Sequence, residues 1–176
     1  STSEDLDGLG PGFYSVLVTD ENACSSLSAD IEITEPPILL ISEIHSNYTG
    51  YGVSCNGASD GFINITVIGG TGEYSYAWSN GATTQDIFDL SPGIYDVIVT
   101  DSNGCTIDIS AEITEPPLLE ISEVYSDYTG WGISCNGASD GFIDITVVGG
   151  TGVYTYDWSN GSIDQDLDNL GPGTYT

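Results

Sequence analysis

The phrase SCNGASDGF stands at Ser54–Phe62 and again at Ser134–Phe142, at the centre of a longer self-similarity. Residues 50–81 laid over 130–161 give 25 identities in 32 positions. The pattern extends outward: LGPGFYSVLVTDENAC (9–24), LSPGIYDVIVTDSNGC (90–105) and LGPGTYT (170–176) are three showings of one element, and ITEPP closes it at 33–37 and 113–117. The period is about eighty residues, long for a solenoid repeat and suited to a small domain that folds by itself. Residues 1–36 read as the back part of one unit, 37–116 as a complete one and 117–176 as the front part of a third, the register expected of a segment of a longer array. Glu35-Pro36-Pro37 and Glu115-Pro116-Pro117 mark the joints, because proline stiffens a short connection and holds the preceding residue extended.

Inside a unit the apolar residues alternate. Ile63, Ile65 and Val67 fall on one face with Asn64 and Thr66 on the other; Tyr74, Tyr76 and Trp78 share a face, as do Tyr95, Val97 and Val99, and Ile107, Ile109, Ala111 and Ile113. A period of two without any sustained helical spacing predicts an all-β chain. Asn80-Gly81 predicts a tight hairpin. Leu90-Ser91-Pro92-Gly93-Ile94-Tyr95 fits a tyrosine corner, in which an early strand tyrosine bonds back to the preceding backbone. With Trp78 on a central strand, the expected unit is an immunoglobulin-like or fibronectin-like β-sandwich of about seven strands. One offset departs from the period: Cys24 to Cys105 is 81 residues, whereas Pro36 to Pro116 is 80. A one-residue slip inverts a strand, so a loop extension or β-bulge is expected at Ser25–Ser26, after which Leu27, Ala29, Ile31 and Ile33 regain the inward phase.

Charge removes whole classes of function. The chain has 27 acidic residues, no lysine, no arginine and one histidine, His45. Nucleic-acid binding needs cations to displace phosphate counterions, and docking on anionic lipid needs them too, so neither partner is expected. A Lys–Asn isopeptide crosslink is chemically impossible. No apolar run approaches the length of a membrane span. Carboxylates are abundant enough to neighbour one another by chance, and His45 is replaced by Tyr125 in the next copy, so its position asks for a planar ring rather than chemistry. No enzyme is expected.

The stretch SCNGASDGFINITVIGGTGEYSYAWSNGATTQDIFDLSPGIYDVIVTDSNGC, Ser54–Cys105, resembles the SprB repeat of gliding-motility cell-surface adhesins from bacteria with type IX secretion, and the likeness continues into the partial units on either side. The resemblance implies export, display on the bacterial cell surface and a part in adhesion or gliding. The expected partners are neighbouring repeats of the same chain, a surface polysaccharide or substratum, and the motility and secretion machinery of the outer membrane. A polysaccharide-binding module and the spacer of a large secreted hydrolase are the alternatives.

The candidate sites are few. CNGASDG reads as a turn whose positive-φ positions need Gly57 and Gly61. The alternative reading of CNGASDG is a calcium loop, which TDSNG (100–104) and TDENA (19–23) favour by placing acidic and amide oxygens at suitable spacing; neither continues into an EF-hand loop, so no cofactor is assigned. The aromatic residues Tyr48, Tyr51, Tyr128 and Trp131, in the inserted stretches HSNYTGYG and YSDYTGWG, are the candidate glycan contacts. In an exported protein, paired cysteines read as disulfides. Cys55 and Cys105 belong to the complete unit and are the expected pair, closing a loop of about fifty residues for on the order of 4 kcal/mol. The alternative, in strict immunoglobulin strand order, puts them at opposite ends, each free to bond a neighbouring unit.

Overall fold

The computed structural model describes residues 5–176; residues 1–4, at the head of the expected first unit, lie outside the described residues. Strands and turns, with no helix, make up the described residues. The complete architecture is seen in the middle of the chain. Strands β5 (Leu40–His45), β6 (Gly61–Ile68) and β8 (Ile87–Leu90) form one antiparallel sheet with β6 at its centre. Strands β7 (Ser75–Trp78), β9 (Gly93–Thr100) and β10 (Thr106–Ile113) form the second, in the order β10-β9-β7. β10 packs against β5 and β6, closing a two-layer sandwich.

The inward residues of both sheets meet there. Ile63 and Ile65 of β6, Val97 and Val99 of β9 and Ile113 of β10 are essentially inaccessible, and Trp78, Ile87, Leu90 and Ala111 complete the core. Every buried member lies between Val53 and Ile113. The alternation of the sequence therefore has its cause here: each strand gives one face to the partner sheet and one to water.

The strand order is the A-B-E and G-F-C order of immunoglobulin-like sandwiches, with six strands instead of about seven. Residues 79–86 pass from β7 directly to β8 in the other sheet and leave no length for a seventh. The Asn80-Gly81 turn is formed, with Gly81 N–H donating to the Trp78 carbonyl at 2.9 Å, but it does not join paired strands: β7 pairs with β9, and β8 with β6. Trp78 consequently lies on an edge strand, buried by the opposite sheet. The tyrosine corner is present three times, Tyr14 to Gly10 O (2.8 Å), Tyr95 to Ser91 O (2.9 Å) and Tyr175 to Gly171 O (3.2 Å).

The flanking stretches hold parts of the same plan. Strands β1 (Gly12–Tyr14), β2 (Leu17–Thr19), β3 (Ser25–Leu27) and β4 (Ile31–Ile33) make an exposed hairpin equivalent to β9–β10. β11 (Glu120–Tyr125), β12 (Gly141–Val148) and β13 (Leu167–Leu170) make a sheet equivalent to β5-β6-β8. Residues 153–158 match β7 in sequence and keep its side-chain bonds, such as Trp158 Nε1–H to Asp164 O at 2.8 Å, yet form no strand. A strand needs a ladder partner, and among the described residues nothing corresponds to Val97–Thr100, the part of β9 that pairs with β7.

The irregularity expected at Ser25–Ser26 lies further on. Thr19 pairs with Ser25 and Leu17 with Leu27, as Thr100 pairs with Thr106, whereas Tyr14 pairs with Ile31 and Gly12 with Ile33. The register slips between Leu27 and Ile31, where Val16 N–H donates to Ser28 Oγ and Ser28 N–H to the Val16 carbonyl. Ile31 and Ile33 regain the phase of Ala111 and Ile113; Leu27 does not.

Candidate functional site

The loops at one end of the sandwich are built on the repeated phrase. Ala58 N–H donates to the Cys55 carbonyl at 3.1 Å, closing a turn that needs left-handed backbone at Gly57 (φ 76°). Asp60 Oδ1 accepts from Ser54 N–H at 3.0 Å, and the Ser54 hydroxyl foremost, then its N–H, holds the Asp60 carboxyl below its ordinary range against a smaller opposing desolvation. Asp140 and Ser134 repeat this in the second copy. Gly61 is glycine for another reason than the expected positive φ: a Cβ there would stand 2.9 Å from the Leu90 carbonyl oxygen and 3.0 Å from Ile113 Cγ2.

The turn also grips the segment that leaves the unit. Gly52 and Val53 N–H donate to the Thr114 carbonyl at 2.9 and 3.1 Å, Gly57 N–H to Glu115 Oε2 at 2.7 Å, and Asn56 Nδ2–H to the Pro116 carbonyl at 3.0 Å. The next residue belongs to the following sheet: the Pro117 carbonyl accepts from Gly150 N–H at 2.9 Å, as Pro37 accepts from Gly70 at 2.8 Å. Two consecutive prolines are thus held by two different bodies, and Pro116 is fully buried. Ser54, Cys55 and Asn56 share one groove with Pro116–Ile121 and residues 150–156.

The aromatic insertion is a small hairpin standing on the same end. Tyr48 and Tyr51 exchange backbone hydrogen bonds across Thr49-Gly50, both at positive φ, and Asn47 Oδ1 accepts from Gly50 N–H at 2.7 Å. Tyr128 and Trp131 do the same, with Asp127 replacing Asn47. The Tyr48 and Tyr128 hydroxyls donate to the Asp60 and Asp140 carbonyls at 3.2 and 3.3 Å, which ties each ring back to the repeated loop. Tyr51 is half-buried, whereas Trp131 is 73% exposed. In contrast Tyr74, Tyr76 and Trp78 belong to the core, and each spends its polar atom on a neighbour.

The expected bridge between Cys55 and Cys105 is not formed; all four cysteines are free and exposed. Cys55 lies beside Glu115 and Pro116, past the far end of β10, while Cys105 precedes its first residue. An eight-residue strand separates them, roughly 25 Å at about 3.3 Å per residue. A disulfide requires Cα atoms within about 7 Å.

Asp101, which the calcium reading singled out, has another employer. Its Oδ1 accepts from Asn103 and Cys105 N–H and its Oδ2 from the Thr71 N–H and hydroxyl, all at 2.9–3.0 Å. Desolvation pushes the carboxyl up, and the hydrogen bonds from Cys105, Thr71 and Asn103 together outweigh it and hold it below its ordinary range. Asp20 repeats the bonds to Asn22 and Cys24. Among the described residues no three His, Cys, Asp or Glu side chains converge on a metal-sized site. His45 is exposed and pairs with Glu43 at 3.0 Å. The gripping roles of Asn56, Asp101 and Glu115 escape a reading by pattern, although their recurrence at matching positions was a usable signal.

Comparison with protein families finds the SprB repeat model matching residues 53–83 and again 133–163. The matches begin at Val53 and Ile133, inside the gripping loop, and run through the centre of each sheet. No curated protein matches the chain.

Proposed function

We propose that this chain, which carries two SprB repeats, is a segment of a long extracellular filament in which tandem sandwiches act as a stiff spacer or adhesive stalk for surface attachment and gliding. The division into units at 36/37 and 116/117 belongs to the same reading. Its main support is the joint. The Pro116 carbonyl is bonded by the loop of the preceding sandwich and the Pro117 carbonyl by the sheet that follows, so no residue is left over as a flexible linker. SprB repeats are typical of cell-surface and extracellular proteins, and the repeat itself is a non-enzymatic one. The motility and secretion machinery of the outer membrane would anchor or drive such a filament. Single-particle images of four or more consecutive repeats should show a thin, nearly straight rod. Beads that bend freely at each joint would contradict the proposal.

A second reading has its own observation, the exposed Trp131 in the same small hairpin as Tyr128. An indole face of this kind stacks on sugar rings; Tyr48 and Tyr51 repeat the hairpin, with Tyr51 half-buried. Polysaccharide binding that is lost when Tyr51 and Trp131 are both replaced by alanine would support it; binding that survives both would exclude it.

A further inference from the structure

We infer that Asn56-Gly57 is a site of self-catalysed deamidation, in which the Glu115 carboxylate acts as base and the product loosens the joint that the loop holds. The inference goes beyond the filament reading and does not need it, because the loop and Glu115 both belong to the complete sandwich.

Asparagine followed by glycine is the pair in which this chemistry meets least steric resistance, since a residue without Cβ leaves its amide nitrogen open to the preceding side chain. The chain carries the pair in two settings, in hairpin turns at Asn80, Asn103 and Asn160 and in the repeated phrase at Asn56 and Asn136. What the glycine N–H donates to sets Asn56 apart. Gly81, Gly104 and Gly161 close ordinary turns, donating to the carbonyls of Trp78, Asp101 and Trp158 at 2.9, 3.0 and 2.8 Å. A carbonyl does not take up the proton. Gly57 N–H donates instead to Glu115 Oε2 at 2.7 Å. A carboxylate there is a Brønsted base already within the reach of about 2.6–3.2 Å that proton abstraction needs.

The surroundings suit the reaction. Asn56 Nδ2, the nitrogen that would leave, donates to the Pro116 carbonyl at 3.0 Å, so both nitrogens involved face consecutive residues of one segment. Asn56 and Gly57 are exposed, and nothing lies within 4 Å of where a Gly57 Cβ would stand. A five-membered ring has room to form, and water can reach it. Asn80 and Asn160 are held differently, each Oδ1 accepting from the N–H two residues on, Ala82 or Ser162, at 3.0 Å.

The chemistry balances without oxidant or reductant. Glu115 removes the Gly57 amide proton as that nitrogen bonds to Asn56 Cγ. The Cγ–Nδ2 bond breaks, and the proton on Glu115 passes to the departing nitrogen, which leaves as ammonia. One water then opens the succinimide at either carbonyl, giving aspartate or isoaspartate at position 56. The product no longer fits the joint. A carboxylate has no N–H to offer the Pro116 carbonyl, and its charge adds to that of Glu115 in a chain without lysine or arginine. The aged loop releases Pro116 while the core strands keep their packing.

The test incubates the 176-residue chain at neutral pH and follows mass gain and isoaspartate at each pair by peptide mapping with a glutamate-specific protease. Asn56 should convert ahead of Asn80, Asn103 and Asn160. Glu115→Gln keeps an acceptor for Gly57 N–H but no base, and should slow conversion at Asn56 on the order of 100-fold. Asn136, in the same phrase but with no bond to Glu115, should convert at an unchanged rate in that variant. Asn56→Asp, made directly, should speed hydrogen exchange at Gly57 N–H about tenfold and leave β6 and β9 unchanged. Conversion at Asn56 no faster than at Asn80, a rate indifferent to Glu115→Gln, or unaltered exchange at Gly57 in Asn56→Asp would overturn the inference.

Discussion

Single residues carry the tightest constraints in this molecule, and few of them are apolar. Gly69 has φ 81°, and a side chain there would collide with the Ile38 carbonyl oxygen; Gly149 repeats the situation against Leu118. Gly81 has similar backbone (φ 87°) with open space around it. Gly69→Ala should therefore destabilise the complete unit by about 3 kcal/mol and Gly81→Ala by about 1 kcal/mol, read from urea unfolding midpoints. Asp101 gives a pH signature. Its folded pKa lies below its unfolded value, so its contribution is present in full above the unfolded value and disappears as pH falls through the folded one. Asp101→Asn should lower the melting temperature at neutral pH, and the gap from the parent chain should close as pH is lowered below about 4. A gap that stays constant to pH 2 would show that the carboxylate charge is not what holds the Thr71 and Cys105 N–H groups.

At the scale of elements, the same motif occurs in two environments, which separates local pattern from packing. Ile113 and Ile33 both end the ITEPP hairpin, but Ile113 is 1% exposed and Ile33 is 36% exposed. Ile113→Ala should cost about 3 kcal/mol in the unfolding of the complete unit, and Ile33→Ala in dilute chain should leave that transition unchanged. Hydrogen exchange should divide the chain likewise, slow at β9 and β10 and fast over Gly12–Ile33. Alternation along Ile63–Val67 and Ile107–Ile113 made the strands and their inward faces legible, because a period of two survives in any copy. Which strands pair was less legible. Asn80-Gly81 makes the same turn whether the chain returns along its own strand or crosses to the other sheet, and only packing of Trp78 against the opposite layer decides. The register slip was detectable as an 81-residue offset among 80-residue ones. Its place was not, since Ser25–Leu27 can stay in the tip's register until Ser28 supplies the compensating bonds to Val16.

For the whole molecule, the repeat made the architecture readable, and the joints follow from it. Composition singles out Glu115-Pro116-Pro117 as the expected joint, while the hydrogen bonds that divide Pro116 from Pro117 needed coordinates. The cysteine pairing was the least readable feature. Spacing counts residues between Cys55 and Cys105, whereas the distance is set by β10 lying between them. The exposed aromatics Tyr48, Tyr128 and Trp131 were placed on the surface by their glycine-rich context, which the small hairpins explain. The account rests on the complete unit being a body that folds without its neighbours. Calorimetry of residues 37–116 expressed alone tests this directly. One reversible transition, with calorimetric and van't Hoff enthalpies equal, is the predicted result; a chain without a cooperative transition, folding only when joined to a flanking unit, would contradict it.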